Sequence, residues 1–165
     1  MLTNHTDIKA WLGGMGIKNY TINESGTVTV DGSVNISDKQ LTEIPVSFGL
    51  VSGDFDCSHN ELTTLEGSPR EVGGNFYCDS NSLESLDGSP QKANGDFDCR
   101  PNRLKSLEGS PQKVNGDFDC RHNSLVSLEG ASREVGGDFH CSSNRFKTSP
   151  NIDATINGQL IWYNY

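Results

Sequence analysis

The chain lacks the features on which several function classes rest. No apolar run approaches the ~20 residues that a membrane-spanning helix needs. Met1 to Gly14 has neither the basic start nor the apolar stretch of a secretory signal, so the expected location is the cytoplasm. Apolar residues fill only 33% of the 165 positions and mean hydropathy is -0.55, low values for one deep core. Basic residues are outnumbered, 13 against 22 acidic ones, for a net charge of -9. Without a basic stripe, direct nucleic-acid binding is disfavoured, and a partner with a basic surface suits the charge better. The Cys spacing of zinc sites is absent. No phosphate loop, Ser-His-Asp set or paired-carboxylate pocket stands out. The expectation is a non-enzymatic chain with no cofactor and no metal.

What the sequence does have is a repeat. Phe55, Phe76, Phe97, Phe118 and Phe139 stand 21 residues apart, as do Cys57, Cys78, Cys99, Cys120 and Cys141. Asn60, Asn81, Asn102, Asn123 and Asn144 keep the same step, followed by Leu62 and Leu65 and their counterparts. Val34 and Ile36 sit one step before Phe55 and Cys57; Leu160 and Trp162 sit one step after Phe139 and Cys141. Seven rungs follow. A fixed period of this length marks a stacked array rather than a ball.

Each rung reads Gly-x-Phe-x-Cys-x-x-Asn-x-Leu-x-x-Leu. Phe and Cys alternate with polar residues, which is strand periodicity. The neighbour of each strand is the same segment one period away, so pairing is parallel and in register at ~4.8 Å per rung. The Asn ladder has a role where each coil leaves its strand: a buried amide can bond backbone groups that have lost ladder partners. Gly73, Asn94, Asn115 and Gly136 are equivalent, and those two residue types best tolerate positive φ, so a left-handed site is expected there. Pro69, Pro90 and Pro111 punctuate the far side, leaving no room for a full helix opposite the strand. The fold class is therefore mainly β: a parallel β-solenoid of about seven coils over residues 31–150.

The segment Phe-x-Cys-x-x-Asn-x-Leu resembles the L-x-L-x-x-N-x-L core of leucine-rich repeats. The following Leu-x-Gly-x-Pro resembles the short, helix-poor repeats of bacterial effectors and of phage-encoded proteins. The Asn and the two Leu transfer onto Asn60, Leu62 and Leu65 and their counterparts. Phe and Cys stand where Leu or Val is usual, and Lys39 replaces the Asn of the first copy. The resemblance implies a leucine-rich-repeat type of solenoid used for protein binding. It also implies, by analogy, a host-directed inhibitor or adaptor acting in the host cytoplasm on a defence or nucleic-acid-handling protein.

The ends differ from the array. Residues 6–17 read as an amphipathic helix with Thr6 as N-cap and Ile8, Trp11, Leu12 and Met15 on one face. Tyr20–Asn23 and Thr27–Val30 read as a hairpin around Glu24-Ser25-Gly26. Residues 1–30 would then cap the first rung. Residues 151–165 form a last rung with Leu160 and Trp162 inward and Ile161 and Tyr163 outward. That rung is either a cap, with Trp162 and Tyr165 folded over the core, or an edge strand that pairs with a second copy.

Candidate binding residues lie on the strand face. Asp54, Asp96, Asp117 and Asp138 precede the Phe, and Asp56, Asp98 and Asp119 follow it. Like charges on adjacent strands repel, so a face that keeps seven of them suits a cationic partner; a solvated face that resists aggregation is the plainer reading. Arg100 and Arg121 lie beside them and offset part of the repulsion. Tyr77 and His140 interrupt the acidic row, and Tyr is enriched in binding hot spots. Two other functions stay open. The acids could mimic nucleic-acid phosphates in a basic groove, although the rung spacing is shorter than the phosphate spacing. The chain could also be a structural protein self-associating through Ile161 and Tyr163. The five Cys are odd in number and too far apart between rungs for disulfides. They read as small buried hydrophobes.

Overall fold

The computed structural model describes residues 1–163. One helix, α1 (His5–Gly14), precedes fifteen strands. In chain order these are β1 (Tyr20–Ile22), β2 (Thr27–Val30), β3 (Val34–Asn35), β4 (Ser47–Val51), β5 (Phe55–Asp56), β6 (Glu71–Val72), β7 (Phe76–Tyr77) and β8 (Lys92–Ala93). They continue as β9 (Phe97–Asp98), β10 (Lys113–Val114), β11 (Phe118–Asp119), β12 (Glu134–Val135), β13 (Phe139–His140), β14 (Thr155–Ile156) and β15 (Leu160–Ile161).

The coils stack as a parallel β-solenoid with two sheets. A phenylalanine sheet runs β3-β5-β7-β9-β11-β13-β15, every pair parallel and offset by one 21-residue period, so that Phe76 faces Phe55 and Phe97. Its seven rungs begin at Val34 and end at Leu160, as the period predicts. A second, valine sheet runs β2-β4-β6-β8-β10-β12-β14, with β1 added antiparallel to β2. The single-strand coil expected from the sequence is therefore incomplete. From β6 onward this second strand is only two residues long and sends one side chain inward per coil: Val72, Ala93, Val114 or Val135, all buried.

The core is thin and continuous. Phe55, Phe76, Phe97, Phe118 and Phe139 have no exposed surface, and their rings stack with centroids 4.7–5.5 Å apart. Phe48 meets Phe55 edge-on at 5.3 Å, and Trp11 of α1 meets Phe48 at 6.4 Å. The cap thus continues the aromatic column instead of merely covering it. Ile8 and Leu12 of α1 are fully buried, with Trp11 and Met15 partly so, which matches the predicted helical face. The N-cap differs: Asn4, not Thr6, holds that place, and its side chain accepts the Thr6 N–H at 2.7 Å. Both residue types can cap; starting two residues earlier lets the Asn4 side chain be the acceptor and the Thr6 main-chain N–H the donor.

The Asn ladder works as expected. Asn60 accepts the Lys39 and Leu41 N–H groups of the preceding coil through Oδ1 and donates through Nδ2 to the Ile36 and Cys57 carbonyls. Asn81, Asn102, Asn123 and Asn144 repeat the pattern. Each amide ties one coil to the last.

Positive φ falls elsewhere than predicted. Gly73, Asn94, Asn115 and Gly136 are not left-handed; the turn instead uses Gly67, Gly88, Gly109 and Gly130, with φ between +83 and +96. A Cβ at Gly88 would also run into the backbone of Leu65 and Glu66 in the coil before it, so both sterics and φ select glycine there. A second left-handed site follows four of the five Cys, at His59, Ser80, His122 and Ser143; Pro101 holds the equivalent place after Cys99, where its ring fixes φ at a negative value.

The five Cys are free and buried, and Cys57 Sγ donates to the Tyr77 carbonyl at 3.3 Å. Burial pushes each thiol upward, Cys141 to about 12 and the other four also well above the ordinary range. A thiol so held is a poor nucleophile. Thiol titration of the native protein at neutral pH should therefore label none of the five rapidly, and all five in denaturant; rapid native labelling would place the ladder outside the core.

Candidate functional site

The outer face of the phenylalanine sheet carries three side-chain columns. The first is Asp54, Asn75, Asp96, Asp117 and Asp138, half-buried just before each Phe. The sequence reading left these carboxylates free on the surface. Instead each bonds the next coil: Asp54 Oδ1 accepts the Asn75 N–H at 2.7 Å, Asp96 that of Asp117 at 2.8 Å, Asp117 that of Asp138 at 2.7 Å and Asp138 that of Gln159 at 2.8 Å. Asn75 Oδ1 makes the same bond to Asp96 N–H at 2.8 Å. The glycine before each of these residues follows from that bond, since a Cβ at Gly95 or Gly116 would collide with Oδ1 of Asn75 or Asp96.

The second column is Asp56, Tyr77, Asp98, Asp119 and His140, one residue per rung in register. Asp56 Oδ1 accepts the Ser58 N–H and hydroxyl at 3.0 and 2.6 Å. Asp98 and Asp119 accept the N–H groups of Arg100 and Arg121 in the same way. Tyr77 Oη takes a hydrogen bond from Asn75 Nδ2 at 2.6 Å. Burial raises the Tyr77 phenol above its usual range, and the nearby Asp54, Asp96 and Asp56 add to the rise.

Arg100 and Arg121 stand in the third column, where Ser58, Asp79 and Ser142 are the counterparts. Arg100 Nε lies 3.0 Å from Asp98 Oδ2 and 3.2 Å from Asp119 Oδ2, so one guanidinium bridges carboxylates of two coils. Arg121 Nη2 lies 2.6 Å from Asp119 Oδ2, and this contact raises the guanidinium's affinity for its proton. Asp119 is only 8% exposed, so its charge is matched where it is least hydrated. The expected offset of repulsion by the two arginines is thus present in the geometry.

Tyr77, Asp96, Asp98, Asp117, Asp119 and His140, with both arginines, border one cleft of about 260 Å³. The small Asp98 and Asp119 form its floor between the larger Tyr77 and His140. His140 Nε2 is 3.9 Å from Asp117 Oδ2. Asp54, Asp56 and Asp138 lie outside this cleft; Asp56 borders an adjoining open depression of about 590 Å³, with His59 and His122 on the rungs at its two ends. Sequence reasoning missed Asp79, which faces His59 at 3.6 Å, although its place in the Arg100 column is visible in the repeat.

Burial raises Asp79 and Asp98 above the usual carboxylate range, in spite of His59 and Arg100 beside them. Their folded pKa thus exceeds the unfolded one. Holding them ionised costs stability above the folded pKa, and the cost is relieved as pH falls through it, until the unfolded chain protonates too. Tm should therefore rise as pH falls from neutral into the range where these carboxyls titrate. A steady fall in thermal melts over that interval would contradict it.

At the far end, Leu160 and Trp162 are partly buried against the core. Ile161 is half-buried in register with His140, and Tyr163 is 61% exposed. Tyr165, the other candidate cap residue, lies outside the described residues. Among the described residues no group of three His, Cys, Asp or Glu is placed to hold a metal ion, and no helix is long and apolar enough to cross a membrane. Comparison of the chain with protein-family models, with curated proteins and with solved structures gives no match.

Proposed function

We propose that the chain is a non-enzymatic protein-binding module whose phenylalanine-sheet face docks a partner with a basic surface. One observation carries this reading. The first column needs only a hydrogen-bond acceptor, since Asn75 does there what the aspartates do. Four carboxylates nevertheless occupy that column, and three of them, Asp96, Asp117 and Asp138, stand on successive rungs, where like charges repel. The charge exceeds what the fold requires and has a use outside the fold. Across the three columns eight aspartates face two arginines, which concentrates most of the chain's net -9 on this one face.

The likeness of the Asn and Leu ladders to leucine-rich repeats supports an interaction role. By the same analogy with short phage-encoded repeats, the module acts as an inhibitor or adaptor on a host protein in the cytoplasm. Tyr77 is the anchor and Asp96, Asp98, Asp117 and Asp119 set the charge. Phosphate mimicry in a basic groove is the second reading, favoured by the same column of acids. Salt separates the two: mimicry loses affinity steeply as salt rises, and an anchored interface loses little.

The test uses the substitution the repeat itself supplies. Asp96→Asn with Asp117→Asn retains the acceptor and removes two charges, so stability at neutral pH should be unchanged or raised by ~1 kcal/mol, read by denaturant titration. Immobilised chains should capture a partner that this variant and Tyr77→Ala both lose. Equal capture by all three removes the face as the site.

A further inference from the structure

The cap treats the two sheets unequally. In the valine sheet, β1 is added beyond β2, so the sheet continues past the first coil. In the phenylalanine sheet, β3 is the last strand and pairs with β5 alone. The Val34 and Ile36 N–H groups donate to the Asp54 and Asp56 carbonyls, each at 2.8 Å. Alternate residues of a strand direct their main-chain groups to opposite sides. The Asn35 N–H and C=O therefore point away from β5, as does the Ser33 C=O. Among the described residues these three groups have no main-chain partner, and they offer acceptor, donor, acceptor in a row.

The space beside them is shaped. The chain leaving α1, residues 15–19, runs along β3 and leaves a cleft of about 350 Å³ between itself and residues 31–35. One end of the cleft is closed by the Asp31 N–H bonded to the Asn19 carbonyl at 2.8 Å. Ile17 is nearly buried and Met15 half-buried beneath it, and Val34 is 1% exposed. Ser33 and Asn35 are exposed. An extended chain laid in this cleft would meet the polar Ser33 and Asn35 on its outer face and the apolar Met15 and Ile17, which line the cleft, on its inner face.

We infer that β3 is a strand-addition site, which takes an extended segment of a partner protein, polar-apolar-polar in sequence, as an eighth strand of the phenylalanine sheet. The unpaired groups dictate the ligand's chemistry: they are satisfied by another main chain in strand conformation and by few side chains. The site is about five rungs away from the Tyr77–His140 cleft at its far side and two rungs from it at its near side, and it is independent of the acidic-face reading.

The experiment titrates the full chain, uniformly ¹⁵N-labelled, with a capped five-residue peptide of alternating threonine and valine, and follows amide shifts. Saturable shifts should centre on Ser33, Asn35 and residues 15–19, and the Asn35 amide should become protected from solvent exchange. The same peptide N-methylated on its main chain should leave the spectrum unchanged. Asn35→Pro deletes an N–H that the ladder does not use, and proline is tolerated at such an edge position; this variant should fold and lose the shifts. The inference is overturned by shifts that persist with the methylated peptide, by shifts on Tyr77 to His140 instead, or by no shift at all. An Asn35 amide already protected in the free chain would overturn it too, because that group would then have its acceptor without a ligand.

Discussion

Replacing Phe97 by alanine should destabilise the chain by about 3–5 kcal/mol, among the largest losses available to any single substitution here. Phe97 has no exposed surface and stacks on Phe76 at 5.3 Å and Phe118 at 5.1 Å. Alanine removes the ring from the middle of the column, and the rung spacing is held by hydrogen bonds on both sides of it. The neighbours therefore cannot close the gap, which is the condition under which cavities cost most. Phe146, at 5% exposure near the end of the array, should cost less on truncation, because the coil after it can settle. Denaturant titration of both variants checks the order. Equal losses would mean that the array is packed no more tightly at its centre than near its end.

Asn102→Ala should cost about 2–4 kcal/mol without removing any apolar surface. Its Oδ1 is the acceptor for the Leu83 N–H at 3.0 Å, and its Nδ2 donates to the Cys78 and Cys99 carbonyls at 3.0 Å each. Those carbonyls keep a second donor from Asn81 and Asn123, but the Leu83 N–H is left with none. Asn102→Asp separates the two halves of the amide. The acceptor survives, whereas the donor is replaced by an oxygen aimed at two carbonyls, so the aspartate variant should be at least as unstable as the alanine one. A mild aspartate variant would mean that only the Leu83 bond matters.

These two ladders were legible in the sequence because each residue does one job in every coil. Phe and Cys repeat without exception over five rungs, so period, register and inward direction follow directly. The hairpin at Tyr20 to Val30 was equally plain. The second sheet was not, for a physical reason: a two-residue strand sends one side chain inward, and that place accepts Val72, Ala93 or Val114, residues common in any context. The ladder itself was present at the same 21-residue step.

The site was legible as a list of residues but not as a set of states. Counting acids along the repeat cannot distinguish Asp96, whose oxygen is bonded to the next coil, from Asp119, which is nearly buried against two arginines. Nor does composition explain why glycine precedes the first column; the collision with the Asx oxygen of the preceding coil does. The left-handed positions were misplaced for a related reason. Gly73 and Gly136 suggested positive φ, whereas the turn places it at Gly67 and its counterparts. His59 and Ser80 adopt it without being glycine, so residue type alone was a weak guide.

Stacking of coil on coil underlies both the fold and the reading of its face, and the phenylalanine rings report on it directly. In a sample labelled only on those rings, nuclear Overhauser contacts should link Phe55 to Phe76, Phe76 to Phe97, Phe97 to Phe118 and Phe118 to Phe139, in that order and with no rung skipped. A contact between Phe55 and Phe139, or none between Phe76 and Phe97, would contradict the account.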